Sequence, residues 1–352
     1  MALNNIIFAF TIILLGFFFN KYLLLFFKKT KTNLLVDDQF SKPQAFHENS
    51  IPRSGGITLF FLLTIIFAYL FFSKNFFYFE YISFSLSFFV LGLADDLKIN
   101  IAPKFRLITM IIILFMLVTS HHIHINKTGL EFLDNLVAID IFALMFICLC
   151  FLFIINGSNL IDGFNGLLAI HSLIIFTILF FINLLNENNN ISFILFYIIL
   201  AILIVLKFNF PKAQMFLGDS GAYLIGALIA VSTIQTSTLN PSISPFFFCI
   251  LLFYLFFEVF FSFFRKIFIG RQSPLLPDNQ HLHMLLYKLL FIKYKKKLNS
   301  NYTVTLCINL IYFLLLIPAF FLMDNGLFCR YYFFGLLIFY IYFYNMLYKK
   351  IK

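Results

Sequence analysis

Residues 136–185 read LVAIDIFALMFICLCFLFIINGSNLIDGFNGLLAIHSLIIFTILFFINLL. Two apolar runs, 136–155 and 166–185, flank a polar stretch at 156–165 that is rich in Asn, Gly and Asp. A helix needs about 20 apolar residues to cross the hydrocarbon of a bilayer, so each run is long enough to span. The stretch between them then reads as a turn at one membrane face. Working outward, runs of the same size recur near 4–27, 51–72, 76–94, 104–120, 191–210, 220–239, 245–268, 302–323 and 329–348, eleven in all. The expected fold class is therefore an all-α polytopic membrane protein of about eleven transmembrane helices. At about 21 residues each they leave no room for a separate soluble domain, so residues 1–352 are expected to form a single domain.

Composition agrees. The 352 residues are 62% hydrophobic and 11% charged, whereas soluble domains sit near half apolar and a quarter charged. This excludes a disordered chain, a secreted disulfide scaffold and a cytosolic nucleic-acid binder. The net charge of +10 comes from Lys and Arg concentrated between the apolar runs, which positive-inside topology explains without nucleic acid. One alternate set of loops (28–53, 95–106, 156–165, 207–219, 265–300 and the C-terminal tail) holds 21 of the 25 basic residues, and the opposite set only Lys74, Lys127 and Arg330. That bias predicts an N-terminus outside and a C-terminus in the cytoplasm. The first run has no basic n-region or A-x-A-like site, so it is expected to be a retained span. Lys293, Lys295, Lys296 and Lys297, like the terminal Lys349-Lys350-Ile351-Lys352, read as topology anchors. Cys148, Cys150, Cys249, Cys307 and Cys329 lie in apolar segments without metal-ligand company and are expected to be small buried hydrophobes.

The acids fall mostly on one side. Asp37, Asp38, Glu48, Asp95, Asp96, Asp162, Asp219 and Asp278 all lie in the cytoplasmic set, at or beyond span ends. A transporter or flippase would be expected to keep working carboxylates near the midplane. Carboxylates at one interface suit an enzyme that meets a water-soluble substrate and a lipid headgroup.

Four motifs carry chemistry. Asp95-Asp96 ends the third run, and adjacent carboxylates there need a cation or a proton, which suits a divalent metal or a general base. In Asn156-x-x-Asn159-x-x-Asp162-Gly163-Phe164-Asn165-Gly166, helical spacing would put amide and carboxylate oxygens on one face, with glycines allowing close approach of a phosphate or base. Gly218-Asp219-Ser220-Gly221 opens the eighth run, where Asp219 reads equally as an N-cap or as a Mg²⁺ ligand beside Asn159. His281-Leu282-His283 is expected in a short extended or irregular segment that presents imidazoles to an anion, without the partners zinc requires.

In this order, over about residues 36–288, the motifs resemble the polyprenyl-phosphate N-acetylhexosamine-1-phosphate transferase family, which includes the phospho-MurNAc-pentapeptide transferases. The resemblance begins at Asp38 and takes in Pro52-Arg53-Ser54-Gly55-Gly56-Ile57. It implies transfer of a sugar-1-phosphate from a UDP-N-acetylhexosamine, most readily UDP-GlcNAc, to undecaprenyl or another polyprenyl phosphate. UMP would leave, Mg²⁺ (or Mn²⁺) would assist, and a cell-surface polysaccharide would begin at the cytoplasmic face of the plasma membrane. The peptidoglycan pentapeptide enzyme is the alternative within the family, and a homodimer is left open. Carried over by residue, the resemblance makes Asp95 the base for the lipid phosphate and sets Asp96 beside the metal held by Asp219 and Asn159. It places Asn156 and Asp162 at the nucleotide, Asn165 at uracil and Arg106 near the phosphates, and it makes Arg53 and Gly56 substrate-binding residues. His281 and His283 would face the diphosphate or sugar. Glu258, an acid inside the ninth run, is a substrate-site candidate in its own right. The chain departs from the family at Met284, at Thr109 and in lacking a proline before Glu258, so the sequence marks no helix break there.

Overall fold

The computed structural model describes residues 3–30, 35–37, 50–99, 101–270, 273 and 278–351. Asp38, Glu48 and most of the 271–277 segment lie outside the described residues. The chain runs α1 (Leu3–Thr30), β1 (Val36–Asp37), β2 (Ile51–Pro52), α2 (Gly55–Lys74), α3 (Phe79–Asp96), α4 (Pro103–Ser120), α5 (Glu131–Val137), α6 (Asp140–Ile161), α7 (Leu167–Leu185), α8 (Asn189–Asn209) and α9 (Gly218–Leu239). It continues with α10 (Pro245–Leu251), α11 (Phe253–Phe264), a π-helical turn at Arg265–Ile269, α12 (Leu282–Tyr294), α13 (Lys297–Phe321) and α14 (Gly326–Ile351). The two short strands pair antiparallel, Val36 with Pro52 and Asp37 with Ile51.

This is an all-α polytopic membrane protein. Among the described residues nine helices are long and apolar enough to cross a bilayer, and a tenth span counts only if a bent pair is taken as one. Two of the eleven expected runs account for the difference. The run at 76–94 became α3, whose Glu80, Asp95 and Asp96 sit at its two ends. The run at 245–268 is broken, α10 and α11 meeting at 74° without a proline at the break. A broken helix inside a membrane needs other partners for its freed carbonyls, and the Tyr312 hydroxyl on α13 donates to Leu251 O at the break.

Helix α9 is the hub, in contact with α2, α3, α6 and α7. In its apolar window 72% of residues are buried, against 17% in α1, α4 and α14, whose large side chains such as Phe10, Phe18 and Met116 face outward. The reason is side-chain size. Gly221, Ala222, Gly226, Ala227, Ala230 and Ser232 let neighbouring backbones come close, which is how helices associate where lipid removes the hydrophobic drive. A Cβ on Gly226 would meet Ile155 Cα at 2.7 Å, and one on Gly221 would meet Gly56 Cα at 3.1 Å. Buried polar pairs tie the helices sideways, among them Thr58 Oγ1 to Asn20 Oδ1 at 2.6 Å and Asn183 Nδ2 to Thr236 Oγ1 at 2.8 Å. Of the cysteines, all free, Cys148 and Cys329 are buried as expected and Cys150 and Cys307 are half-buried. Cys249 departs from that expectation and is exposed on α10, a short helix that cannot wrap every side in protein.

Candidate active site at one end of the bundle

The loops carrying the motifs gather where α2, α4, α7 and α9 begin and α3 and α6 end. Backbone pairing builds the floor. Phe216 N–H donates to Pro52 O (2.9 Å), while Gly55 and Gly56 N–H donate to Phe216 O and Leu217 O (both 2.9 Å). Gly56 is required by this approach, because a Cβ there would overlap Gly221 N and Ser220 Oγ. The glycine therefore brings backbone to backbone, and its place in the site is as a spacer.

The acid pair divides its work. Asp96 is 1% exposed and accepts from Asp219 N–H (3.0 Å), Ser220 N–H (2.9 Å) and Ser220 Oγ (2.6 Å). A carboxylate from α3 thus caps α9, where the first-turn amides lack intrahelical partners and the helix dipole is positive. Gly218, at φ +75°, gives it room, since a Cβ there would fall 2.5 Å from Asp96 Oδ2. The N-cap reading of Asp219 is thereby answered: Leu217 is the N-cap residue, its side chain makes no capping bond, and the capping acid is Asp96. Asp219 itself is half-buried in the first turn of α9. Asp95 faces the other way and pairs with Arg106 Nη1 at 2.8 Å. Arg53 reaches Asp37 at 2.7 Å and Asp96 at 3.5 Å. Burial opposes its charge, but Asp219, Asp37 and Asp96 outweigh that and raise its pKa.

The Asn-rich stretch is helical only in part. Asn156 and Asn159 lie in the last turns of α6, and Asp162 has left the helix as its C-cap, with ψ 34°. Asn156 Nδ2 is bound back to Leu152 O at 2.8 Å. Asn159 Nδ2 lies 3.1 Å from the Tyr223 hydroxyl, which leaves its Oδ1 as an acceptor. Asp162 is half-buried, and among the described residues its carboxylate has no hydrogen-bond or ion-pair partner. Burial first, then Asp219 and Asp96, push its pKa well up, with Arg53 pulling the other way. The glycine expectation needs correction. A Cβ on Gly157 would overlap Leu255 O, so this glycine packs α6 on α11, and Gly166 (φ +72°) turns the loop against Phe210. Asn165 is a loop pin. Its N–H donates to Asn301 Oδ1 (2.9 Å), its Nδ2 to Pro211 O (2.9 Å), and its carbonyl accepts from Thr305 Oγ1 (2.8 Å).

The histidines form a second, buried cluster. Tyr254, Glu258, Ser262 and Arg265 recur at helical spacing as a polar stripe on a helix otherwise built of Phe, Leu and Val, and all four are buried. Glu258 Oε1 accepts from Leu282 N–H (3.0 Å) and stands 3.1 Å from His281 Nδ1, while Oε2 accepts from the Tyr340 hydroxyl. Glu258 is 1% exposed, so this acid caps α12 and ties in α14. It is not open to a substrate as expected, because both oxygens are taken. His281 is extended at the N-cap of α12, as foreseen, but His283 is already helical. The second nitrogen of His281 lies 3.4 Å from Asp278 Oδ1. Asp278 has its pKa held low: burial would raise it, and His281, the Gln280 N–H and Arg265 prevail. His283 Nδ1 lies 3.1 Å from the Tyr254 hydroxyl, and among the described residues its Nε2 has no partner. Burial lowers the His283 pKa to about 3, so the ring is neutral. Phe164, from the Asn-rich stretch, meets it edge-on at 5.6 Å, which joins this cluster to the second motif.

Most of the expected residues thus converge: Asp95, Asp96, Asp219, Arg53, Arg106, Asn159 and Asp162 form one polar cluster, joined by ion pairs, hydrogen bonds and through Tyr223. Asn165, Glu258 and His281 have their polar groups engaged within the protein. Sequence reading passed over Tyr223 and Tyr254. Each stands four residues from an acid already singled out, Asp219 and Glu258, and so on the same helix face.

Comparison with known proteins bears on this arrangement. The model of glycosyl transferase family 4 matches residues 78–237, which include the acid pair, the Asn-rich stretch and Asp219. The chain is 26% identical over 270 residues to an undecaprenyl-phosphate alpha-N-acetylglucosaminyl 1-phosphate transferase of Thermotoga maritima, covering 77% of this chain and 78% of that protein. It is 33% identical over 193 residues to a phospho-N-acetylmuramoyl-pentapeptide-transferase of Dictyoglomus thermophilum, covering 53% of this chain and 59% of the other. A probable undecaprenyl-phosphate N-acetylglucosaminyl 1-phosphate transferase of Bacillus subtilis is 27% identical over 198 residues, 55% of this chain and 54% of that one. The latter two alignments thus span between half and three fifths of those relatives. Over residues 78–237, the stretch that carries the acid pair, the Asn-rich run and Asp219, the chain is thus similar to glycosyl transferase family 4, and the relatives it matches bear names from the same family.

Proposed function

We propose that the chain transfers an N-acetylhexosamine-1-phosphate, most readily GlcNAc-1-phosphate, from a UDP-sugar to undecaprenyl phosphate and releases UMP, beginning a cell-surface polysaccharide. The observation that carries this reading is the cluster of Asp95, Asp96, Asp162 and Asp219 with Arg53 and Arg106 at one end of a helix bundle. Phosphoryl transfer asks a protein mainly for alignment and charge neutralisation, and this cluster supplies both signs of charge. In this proposal that end faces the cytoplasm at the plasma membrane and the N-terminus lies outside, a reading supported by the bias of basic residues towards the motif loops.

Mg²⁺ is part of the proposal. It prefers one or two carboxylates plus substrate oxygens, and Asp219 with the unspent Oδ1 of Asn159 fits that preference. When bound, the ion would neutralise diphosphate charge. In this scheme Arg53 and Arg106 bind phosphate oxygens, and Asp95 takes a proton from the acceptor phosphate. An acceptor oxygen then forms its bond to the sugar-bearing phosphorus as UMP departs.

The test is UMP release by the purified full chain with undecaprenyl phosphate and a panel of UDP-sugars. Release with a UDP-N-acetylhexosamine is expected. The pentapeptide-transferase relatives support a second arm with UDP-MurNAc-pentapeptide, and activity there alone would move the chain to that branch. Silence with every donor would overturn the proposal in favour of a transport or flippase role.

A further inference from the structure

The two histidines of the α12 motif are not equivalent. Both nitrogens of His281 face carboxylates, Glu258 on one side and Asp278 on the other. With a carboxylate on each side, this ring ties α11 to the chain entering α12. His283 is 0% exposed and has one engaged nitrogen, Nδ1, opposite the Tyr254 hydroxyl at 3.1 Å. Its Nε2 is buried and, among the described residues, has no partner.

Which atom holds the proton follows from counting buried groups. If Nδ1 carried the hydrogen, it would donate to Tyr254, and the phenol hydrogen would need another acceptor; among the described residues Tyr254 has none. Two groups would then be orphaned, the phenol hydrogen and the Nε2 lone pair. If Tyr254 donates to Nδ1, the only orphan is an Nε2–H. Buried polar groups are nearly always paired, so the arrangement with one orphan wins. That remaining donor needs an acceptor oxygen, and the chain's described residues do not provide it.

We infer that Tyr254 is a positioning residue which holds His283 in the Nε2–H tautomer, so that His283 and not His281 donates to an oxygen supplied by the bound nucleotide sugar. The choice of ligand rests on the proposed function. The tautomer rests on geometry alone. Tyr254 lies on the same helix face as Glu258, so one rigid element sets both histidines. Phe164 stands against the His283 ring, and donor and ligand would meet beside the Asp162–Gly166 turn.

Nitrogen NMR of the full chain labelled with ¹⁵N-histidine reads the tautomer directly, with seven histidines to resolve and His283→Asn to identify the signal. The expected result is a neutral His283 protonated at Nε2, whose Nε2–H resonance moves on adding UDP-GlcNAc. In Tyr254→Phe the ring should become a mixture of tautomers, and kcat should fall by roughly tenfold to a hundredfold, the usual cost of losing such a supporting partner, with KM for the donor within about twofold. Three results would overturn the inference: a wild-type His283 protonated at Nδ1, an Nε2–H resonance that UDP-GlcNAc does not move in an active protein, or an unchanged kcat in Tyr254→Phe. A wild-type chain that releases no UMP yet shows the Nε2–H tautomer would count against the proposed function and leave the positioning role of Tyr254 intact.

Discussion

Replacing Asp96 by Asn separates a capping acid from a catalytic one. The amide is isosteric, so the cavity is unchanged and only charge and donor pattern differ. Wild-type Asp96 accepts from two backbone N–H groups of α9 and from the Ser220 hydroxyl. An Asn has one oxygen, so its NH₂ must face Asp219 N–H or Ser220 N–H, donor against donor. One orphaned buried N–H costs about 1–3 kcal/mol, and loss of the negative charge at the helix N-terminus adds about 0.3–2 kcal/mol. A destabilisation of about 2–4 kcal/mol is expected, with partial relaxation of the cap in mind. At about 2–4 °C per kcal/mol this is a fall in apparent Tm of roughly 5–15 °C. The assay is thermal unfolding in one detergent at one scan rate, because large membrane proteins unfold irreversibly and the apparent midpoint is partly a rate. Asp219→Asn is the companion variant: turnover should drop by orders of magnitude, while its apparent Tm should fall less than that of Asp96→Asn, since the Asp96 cap on the α9 amides stays in place. If Asp96→Asn keeps the wild-type midpoint and loses turnover as Asp219→Asn does, the assignment of Asp96 as the cap of α9 is wrong, and the acid belongs with the reacting groups.

Removing divalent cations with a chelator should abolish UMP release, and Mg²⁺ should restore it without any shift in Tm; activity that survives would remove the metal from the scheme. Asp95→Asn should lose most rate at low pH and regain part of it as pH rises, because the acceptor's second pKa is about 6 and above it the phosphate ionises unaided; a pH-independent loss would take the base role from Asp95. Gly56→Ala should prevent accumulation of folded protein, as its Cβ would overlap the Gly221 backbone, and a normally expressed, stable variant would contradict that close approach. A single thiol placed at exposed Asn279 should react with an impermeant reagent only after cells are opened, whereas labelling of intact cells would reverse the topology.

The membrane class was legible in sequence because apolar run length is set by bilayer thickness, a constraint each segment meets alone. The motif loops were legible for a related reason: carboxylates and amides at span ends are costly unless used, so they stand out one by one. Asp219, Asn159, Asp95 and Asp96 gather at one end of the bundle in the structure, while the pairing of Asp95 with Arg106 was not foreseen. What a residue does with each lone pair was not legible. Asp96 and Asp95 are neighbours in the chain, yet one caps a helix more than a hundred residues away and the other meets Arg106. Glu258 looks like a catalytic acid in a hydrophobic span, and its partners Leu282, His281 and Tyr340 come from two later helices. Gly157 looks like part of a phosphate loop until α11 lies against it. The 74° break at Leu252 has no proline to announce it, and it is held by a tyrosine from α13. Sequence alone determined that the chain is a polytopic membrane protein and which polar residues crowd the span ends, since both follow from the local balance of apolar and polar atoms. Only the tertiary structure decided which of those polar residues are already satisfied by protein and which still have an oxygen or an N–H to offer, because a hydrogen bond depends on distance and direction between groups the chain brings together from far apart.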